Sequence, residues 1–470
     1  MIALTLEEIA RIVGGRLVLP AGTGADAAVS GAVTTDSREI ERGGIFVAKP
    51  GEFDDGHRFA PKAVERGAAL LVVEHEVETD PAVAQIVVPD SVEALGALAT
   101  EVVARVRALG RLKIVGVTGS NGKTTTKNLL RTILGHVGPT VAARASYNNE
   151  VGAPVTMLEL TEDTEFLVAE MGASGIGEIA RLVRMARPDV GIVLKVGLAH
   201  AGEFGGIEQT VRAKSEMVTD LLPGDVAVLN ADDPRVAGMA PLTKARVVRF
   251  GLGPGAEVRA SGIHAHARGT DFTIEAGGET AEVHFGVLGE HHVMNALAAA
   301  AAALELGVPL ERIAAALGEV ALAERWRMQL MGGRDDITVI NDAYNASPDS
   351  MAAALKTLAQ VKRPGARTIA VLGEMSELGE FSGEEHDRIG LMAVRLGISQ
   401  LVVVGEGARR LHISAINEGS WDGESAYVED AEEAFRLVVA SARPGDTVLV
   451  KSSNAAGLRL LGDRLGEWFA

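Results

Sequence analysis

The sequence predicts a three-domain α/β protein: a small N-terminal α/β module, a central doubly wound domain carrying a P-loop, and a C-terminal Rossmann-like domain. Three observations predict it. The chain has 470 residues, more than one ordinary core holds. An alternation of apolar strand, loop and helix starts near residue 111 and restarts after about residue 325. A glycine-rich loop sits between the first strand of that alternation and its helix. These textures put the domains at residues 1–108, 109–324 and 325–470.

Composition limits the function. Hydrophobic residues make up 47% and charged residues 23%, the balance of a soluble globular protein. A formal net charge of -18 argues against general binding to nucleic acid or to anionic membranes. The absence of cysteine excludes disulfides, thiolate catalysis and Cys-ligated metals, and suits a reducing, cytoplasmic compartment. Met1 to Gly15 lacks the basic start of a signal peptide, and Thr5 with Glu8 reads as a capping box opening a short helix. The longest apolar run, Ala296 to Leu304, is far shorter than the roughly 20 residues a membrane span needs, so it reads as a buried helix.

In chain order, Ile45 to Val47 and Leu70 to Val73 are the strand candidates of the first module. The central domain offers Ile114 to Val117, Phe166 to Ala169, Val190 to Val196 and Val226 to Leu229, which implies a parallel sheet covered by helices. The last domain repeats the pattern at Thr338 to Ile340, Thr368 to Leu372, Leu401 to Val404 and Val448 to Val450.

The strongest local signal is Gly116-Val117-Thr118-Gly119-Ser120-Asn121-Gly122-Lys123-Thr124, followed by a helix carrying Leu129, Leu130, Ile133 and Leu134. In this context backbone N–H groups and the helix N-terminus cradle phosphates, Lys123 reaches the β- and γ-phosphates, and the Thr124 hydroxyl ligates Mg²⁺. The loop is a variant, because Val117 stands where the standard spacing has its first glycine.

Further polar residues fall where strands end, the place at which open α/β sheets bind ligands. Glu170 closes the strand from Phe166, either as a hard-cation ligand or as a solvated strand-end acid. His200 follows another strand; a lone histidine there is more often structural than catalytic. Asp232 and Asp233, before Pro234, read by default as solvated turn residues. Lys214 shares a helix face with Ile207, Val211, Val218 and Leu222. Burial would favour its neutral amine, which can add CO₂ to give a carbamate able to orient magnesium; a lysine snorkelling at the helix edge is the alternative.

Taken in order, Thr118 to Thr125, Tyr147-Asn148-Asn149-Glu150-Val151-Gly152, Glu170-Met171-Gly172, His200 and Ala213-Lys214-Ser215-Glu216 resemble the ATPase domain of the Mur ligase family. Gly289 to Leu297, with Asn295, resembles that family's adenine-side segment, which makes His291 and His292 a helix entrance rather than a metal site. Asn341-Asp342-Ala343-Tyr344-Asn345-Ala346-Ser347-Pro348 and Gly373 to Gly379 are closest to its MurF branch. Ser347 can cap a helix that starts at Pro348, leaving Asp342 to Asn345 as a strand-to-helix loop. Thr35-Asp36-Ser37-Arg38 with Asp55-Gly56-His57 resembles the family's UDP-binding module. Two positions depart from the pattern: Lys195 replaces a common Asn, and Lys451-Ser452-Ser453-Asn454 replaces Lys-Gly-Ser-Arg, with Arg459 nearby to substitute for the arginine.

The resemblance implies an ATP-dependent ligase that adds D-alanyl-D-alanine to UDP-N-acetylmuramoyl-tripeptide through an acyl phosphate. Such an enzyme serves peptidoglycan precursor synthesis, and through it cell shape and division. It implies catalytic roles for Lys123, Glu170, His200, Lys214 and Arg327, the last fitting better than Arg325 as the arginine entering the third domain. ATP contacts are implied at Gly119, Asn121, Gly122, Lys123, Thr124, Thr125, Asn295, Arg327, Asp342 and Asn345. Two Mg²⁺ ions are implied at Thr124, Glu170, His200 and carbamylated Lys214. Substrate contacts are implied at Ser37, Arg38, Asp55, His57, Asn148, Asn149, Tyr344 and Lys451, in a cytoplasmic monomer. The alternatives are a MurE-like ligase adding a diamino acid to a UDP-linked dipeptide, a folylpolyglutamate synthase, and a non-catalytic nucleotide-switched binding protein. Asp342 to Pro348 argues against the first, and the module at Thr35 to Arg38 and Asp55 to His57 has no place in the second.

Overall fold

The computed structural model describes residues 1–51, 54–79, 82–144, 146–197, 206–266, 268–322, 324–418 and 424–470. His200 lies outside the described residues. The chain opens with the helix Leu6–Val13, and Thr5 and Glu8 form the expected capping box: Thr5 Oγ1 accepts from Glu8 N at 3.1 Å, while Glu8 Oε2 accepts from Thr5 N at 2.9 Å. A five-stranded sheet follows in the order Arg16–Val18, Ala84–Val87, Leu70–Val73, Ile45–Val47, Val33–Thr34.

The helix Ser91–Ala108, capped by Asp90, leads into the central domain. Its apolar residues, including Leu98, Val102 and Val106, join one continuous core with Leu4, Ile45 and Leu70 on one side and Met157, Leu182 and Met217 on the other. The first domain is therefore welded to the second by buried apolar area rather than tethered to it.

The central sheet has nine strands, ordered Thr140–Ala142, Phe166–Glu170, Lys113–Thr118, Val190–Val193, Val226–Asn230, Arg246–Gly251, Val258–His266, Gly269–Ala276, Glu279–Phe285. The first seven are parallel, and the register sets Glu170 opposite Val117 and Val193 opposite Thr118, so these strand ends meet at one edge. The parallel sheet expected from the alternation is present in these seven strands, and it is extended at one edge where Gly269–Ala276 pairs antiparallel with both of its neighbours. Physically, Phe272, Ile274, Val283 and Phe285 alternate with more exposed residues, giving a sheet extension covered on one face only. The strand expected to run to Val196 ends at Val193, because the next residues turn aside to bind the phosphate loop.

On one face, the helix Lys123–Gly135 packs against Glu290–Glu305, whose buried stretch Ala296 to Ala303 lets the helices approach closely. The C-terminal sheet is ordered Gln329–Gly332, Thr338–Asn341, Thr447–Lys451, Thr368–Leu372, Gln400–Val404, Glu424–Val428, with only the first strand antiparallel. No helix among the described residues is long and apolar enough to cross a membrane.

Candidate active site

The phosphate loop leaves the strand Lys113–Thr118 and enters the helix Lys123–Gly135 through Gly122, whose φ of +87° and 2.3 Å clearance to Asn295 Oδ1 exclude a Cβ. Lys123 folds back over the loop and donates to Gly119 O at 2.8 Å. Burial lowers the Lys123 pKa, with nearby Arg327 acting the same way and Glu170 opposing. Thr124 Oγ1 donates to Glu170 Oε1 at 3.2 Å, and Asn148 Nδ2 donates to the same oxygen at 2.7 Å. Glu170 is 1% exposed, yet its Oε2 has no hydrogen-bond partner among the described residues. A buried carboxylate oxygen without a donor calls for a cation, and beside a threonine hydroxyl it fits Mg²⁺.

Lys214 is 3% exposed on the helix Ile207–Thr219. Burial, helped by the charge of Lys123, lowers its pKa to about 7 against the pull of Glu178 and Glu216, so near neutral pH much of it is an amine. The inward-facing alternative, not the snorkelling one, describes this side chain.

The acidic cluster after Val226–Asn230 ties loops together. Asp233 Oδ2 accepts from Val196 N at 2.9 Å and its Oδ1 caps Arg235 N at 3.0 Å, while Asp232 Oδ2 accepts from Leu252 N at 2.6 Å. Here the solvated-turn default is corrected for Asp233, which is 6% exposed because its carboxylate satisfies buried backbone donors. His291 and His292 begin the helix after Gly289, and burial lowers the His291 pKa to about 4, so it is neutral.

A cleft of about 380 Å³ opens between the central and C-terminal domains, lined by Asn121, Gly122, Lys195, His291, Asn295 and Asp349. Arg325 Nη2 donates to Asp463 Oδ2 at 3.0 Å, whereas Arg327 stacks 4.6 Å over Tyr344 and leaves a buried Nε without a partner among the described residues. The positive φ of Trp326 (61°) and Met328 (48°) brackets Arg327 in a strained turn held by Trp326 Nε1 donating to Asp463.

Three sequence-selected residues are consumed internally. Lys451 Nζ donates to Asp342 Oδ2 at 2.6 Å, Asp342 O at 3.3 Å and Asn345 O at 3.0 Å, and Asp342 Oδ1 accepts from Met328 N at 3.0 Å. Together they shape the strand-to-helix loop. Ser347 caps the helix Pro348–Gln360 as expected. Tyr344 OH shares a 3.0 Å hydrogen bond with Ser146 Oγ across the domain boundary.

A second cavity, about 620 Å³, lies between the first two domains and is lined by Ser37, Arg38, Lys49, Tyr147, Asn149 and neighbouring residues. Asn149 Oδ1 also accepts from Gly152 N, the first residue of the helix Gly152–Met157, at 2.9 Å. Asp55 and His57 do not line this cavity. His57 Nδ1 donates to Asp55 Oδ1 at 2.6 Å, and Nε2 accepts from Glu74 N at 2.8 Å, which makes the pair a brace within the first domain.

Sequence reasoning passed over two residues. Lys127, 1% exposed, donates to Ala143 O at 2.6 Å and ties the phosphate-loop helix to the loop leading to Asn148. Its signal was visible: it shares a helix face with Leu130 and Leu134. His386 accepts from Met375 N at 3.0 Å and donates to Ser382 O at 2.7 Å, bracing the loop Gly373 to Gly379. Nothing local in the sequence marks it.

Comparison with known proteins agrees with this geometry. Residues 31–112 match the Mur ligase family catalytic domain, 117–303 the Mur ligase middle domain and 326–454 the Mur ligase glutamate ligase domain. The chain is 44% identical to the UDP-N-acetylmuramoyl-tripeptide--D-alanyl-D-alanine ligase of Mycobacterium tuberculosis, over 99% of this chain and 98% of that one. The crystal structure of MurF from Acinetobacter baumannii superposes with a TM-score of 0.87 at 31% identity, covering 99% of each chain. MurF from Thermotoga maritima, in complex with ADP, gives 0.80 at 27% identity, covering 93% of this chain and 99% of that one.

Proposed function

The chain belongs to the Mur ligase family, and from that membership and the geometry around Lys123 we propose that it joins D-alanyl-D-alanine to UDP-N-acetylmuramoyl-tripeptide at the expense of ATP. One observation carries the chemistry: a phosphate loop lies beside a buried glutamate whose Oε2 has no donor among the described residues. The product is a precursor of peptidoglycan, and the enzyme works in the cytoplasm as a monomer. The 44% identity to a ligase of this name favours this reading over diamino-acid addition, folate extension or a nucleotide switch.

The three domains, taken as 1–108, 109–324 and 325–470, divide the substrates. The 620 Å³ cavity at Ser37 and Arg38 takes the UDP end, the phosphate loop and Asn295 take ATP together with Asp342 and Asn345, and the C-terminal domain takes the dipeptide at Tyr344. Lys123 and Arg327 draw charge off the γ-phosphate as the tripeptide carboxylate attacks it, giving an acyl phosphate and ADP. The dipeptide amine then attacks the acyl carbon, loses a proton, and inorganic phosphate departs from the tetrahedral intermediate as the amide forms. Holding the reactants in line contributes most of the acceleration. Thr124, Glu170, His200 and Lys214 as its carbamate are the residues that would hold Mg²⁺, which when bound neutralises phosphate charge. Asn148, through its 2.7 Å bond, keeps the Glu170 carboxylate turned toward the loop.

Mass spectrometry of a reaction containing ATP, the UDP-tripeptide and D-alanyl-D-alanine tests the reading. A UDP-linked pentapeptide with one phosphate released per bond is expected; nucleotide binding without turnover would refute it. Lys214→Ala should abolish turnover, with partial rescue by short carboxylic acids, and full activity without additives would remove the carbamate from the scheme.

A further inference from the structure

The residues Lys195 to Gly197 form one wall of the phosphate loop. Ser120 N donates to Lys195 O at 2.8 Å, Ser120 Oγ donates to Gly197 O at 3.2 Å, and Gly197 N donates to Ser120 Oγ at 3.0 Å. The first turn of the helix Pro348–Gln360 closes on the same wall from the C-terminal domain. Ser347 Oγ donates to Asn121 Oδ1 at 3.3 Å, and Lys195 Nζ lies 3.3 Å from Asp349 Oδ1. Asp349 Oδ2 sits 2.2 Å from where a Cβ on Gly197 would stand, so the carboxylate occupies the space that glycine leaves.

We infer that Lys195 and Asp349 are a pair of positioning residues, an ionic latch that seats the dipeptide-binding loop of the C-terminal domain on the phosphate loop. The inference rests on the ligase reading, in which the acceptor amine comes from one domain and the acyl phosphate forms on another. Lys451 binds Asp342 and Asn345 to its own sheet, and Ser347 continues that loop into the helix, so loop, helix and sheet move as one body. Whatever fixes Asp349 therefore fixes the acceptor loop relative to Lys123.

The side chains of Lys195 and Asp349 are 48% and 36% exposed, and a pair this open to water contributes little to stability. Its effect is on geometry, where small misplacements of reactants are costly to rate.

The test is a double-mutant cycle with Lys195→Ala and Asp349→Ala at low and high ionic strength, varying D-alanyl-D-alanine with the other substrates saturating. Each single variant is expected to lose about fivefold in kcat/KM for the dipeptide, the equivalent of about 1 kcal/mol. The double variant should lose no more than either single one, and the salt sensitivity of the unaltered enzyme should vanish in all three. ADP affinity, measured by calorimetry, should stay within about twofold. Gly197→Ala, which evicts the Asp349 carboxylate, should lose more. Additive losses, an unchanged salt profile, or a selective loss of ADP affinity in Lys195→Ala would overturn the latch. Small-angle scattering reads the same latch without turnover: salt should expand the unaltered protein and not the variants. An absence of pentapeptide from the unaltered enzyme would instead defeat the ligase reading, while equal scattering responses would defeat the latch.

Discussion

In the central domain Lys123 makes one hydrogen bond among the described residues, to Gly119 O, and the neighbouring Glu170 keeps one carboxylate oxygen bare. In the C-terminal domain Lys451 is surrounded by three oxygens, and both carboxylate oxygens of Asp342 are engaged. Each pair sits at the carboxyl end of parallel strands, and Glu170, Asp342 and Lys451 are buried while Lys123 is half-buried. One crevice holds charge in reserve for a ligand, whereas the other spends it on its own loop. A lysine and an acid at a strand end thus mark a ligand site only when hydrogen-bonding capacity is left over.

The sharpest way to break this contrast is to remove the two lysines in turn. Lys123→Ala should reduce pentapeptide synthesis by on the order of a thousandfold with little change in melting temperature. Lys451→Met should instead destabilise the C-terminal domain by about 3–5 kcal/mol, since Asp342 is left buried and unpaired, and adding Asp342→Asn should restore part of that loss. Thermal melts beside turnover assays decide it; two variants with the same profile would erase the distinction.

The acids give the next contrast. Glu170→Gln should lower turnover about a hundredfold while leaving the melting temperature unchanged or raised, because a buried anion without a donor is removed. Asp342→Asn should lower the melting temperature.

Lys214 sharpens the comparison through pH. Its folded pKa of about 7 lies below the ordinary lysine value of 10.5, so between these values the unfolded chain binds more protons and stability rises with pH. Below about pH 7 both states are charged and the burial penalty is full. In carbonate-free buffer, Lys214→Met should abolish this slope and be the more stable protein on the acid side, as read by denaturant melts across the range.

The smallest effect is expected at His386. Replacing it by Ala removes the brace on Met375 N and should raise KM for the dipeptide about fivefold, the equivalent of one hydrogen bond, while kcat changes less.

Much of this was legible before any coordinates. The capping box at Thr5 and Glu8, the cap at Ser347 and the phosphate loop were readable because each depends on residues a few positions apart, whose backbone geometry local chemistry dictates. Apolar runs likewise announced the strands at Ile45, Leu70, Thr368 and Gln400. Less legible were the strands from Val258 to Phe285, where one-sided burial gives a weaker pattern than a fully buried parallel strand. Asp55 and His57 were readable as a motif, but their inward orientation was not.

By itself, then, the sequence determined the α/β class, the phosphate loop and the cast of polar residues, since these follow from periodicity and near-neighbour chemistry. Only the tertiary structure decided which charges are spent and which are held ready. Whether Lys451 is saturated, Glu170 bare and Lys195 paired with Asp349 depends on partners dozens to hundreds of residues away. Folding alone brings those partners within hydrogen-bonding distance.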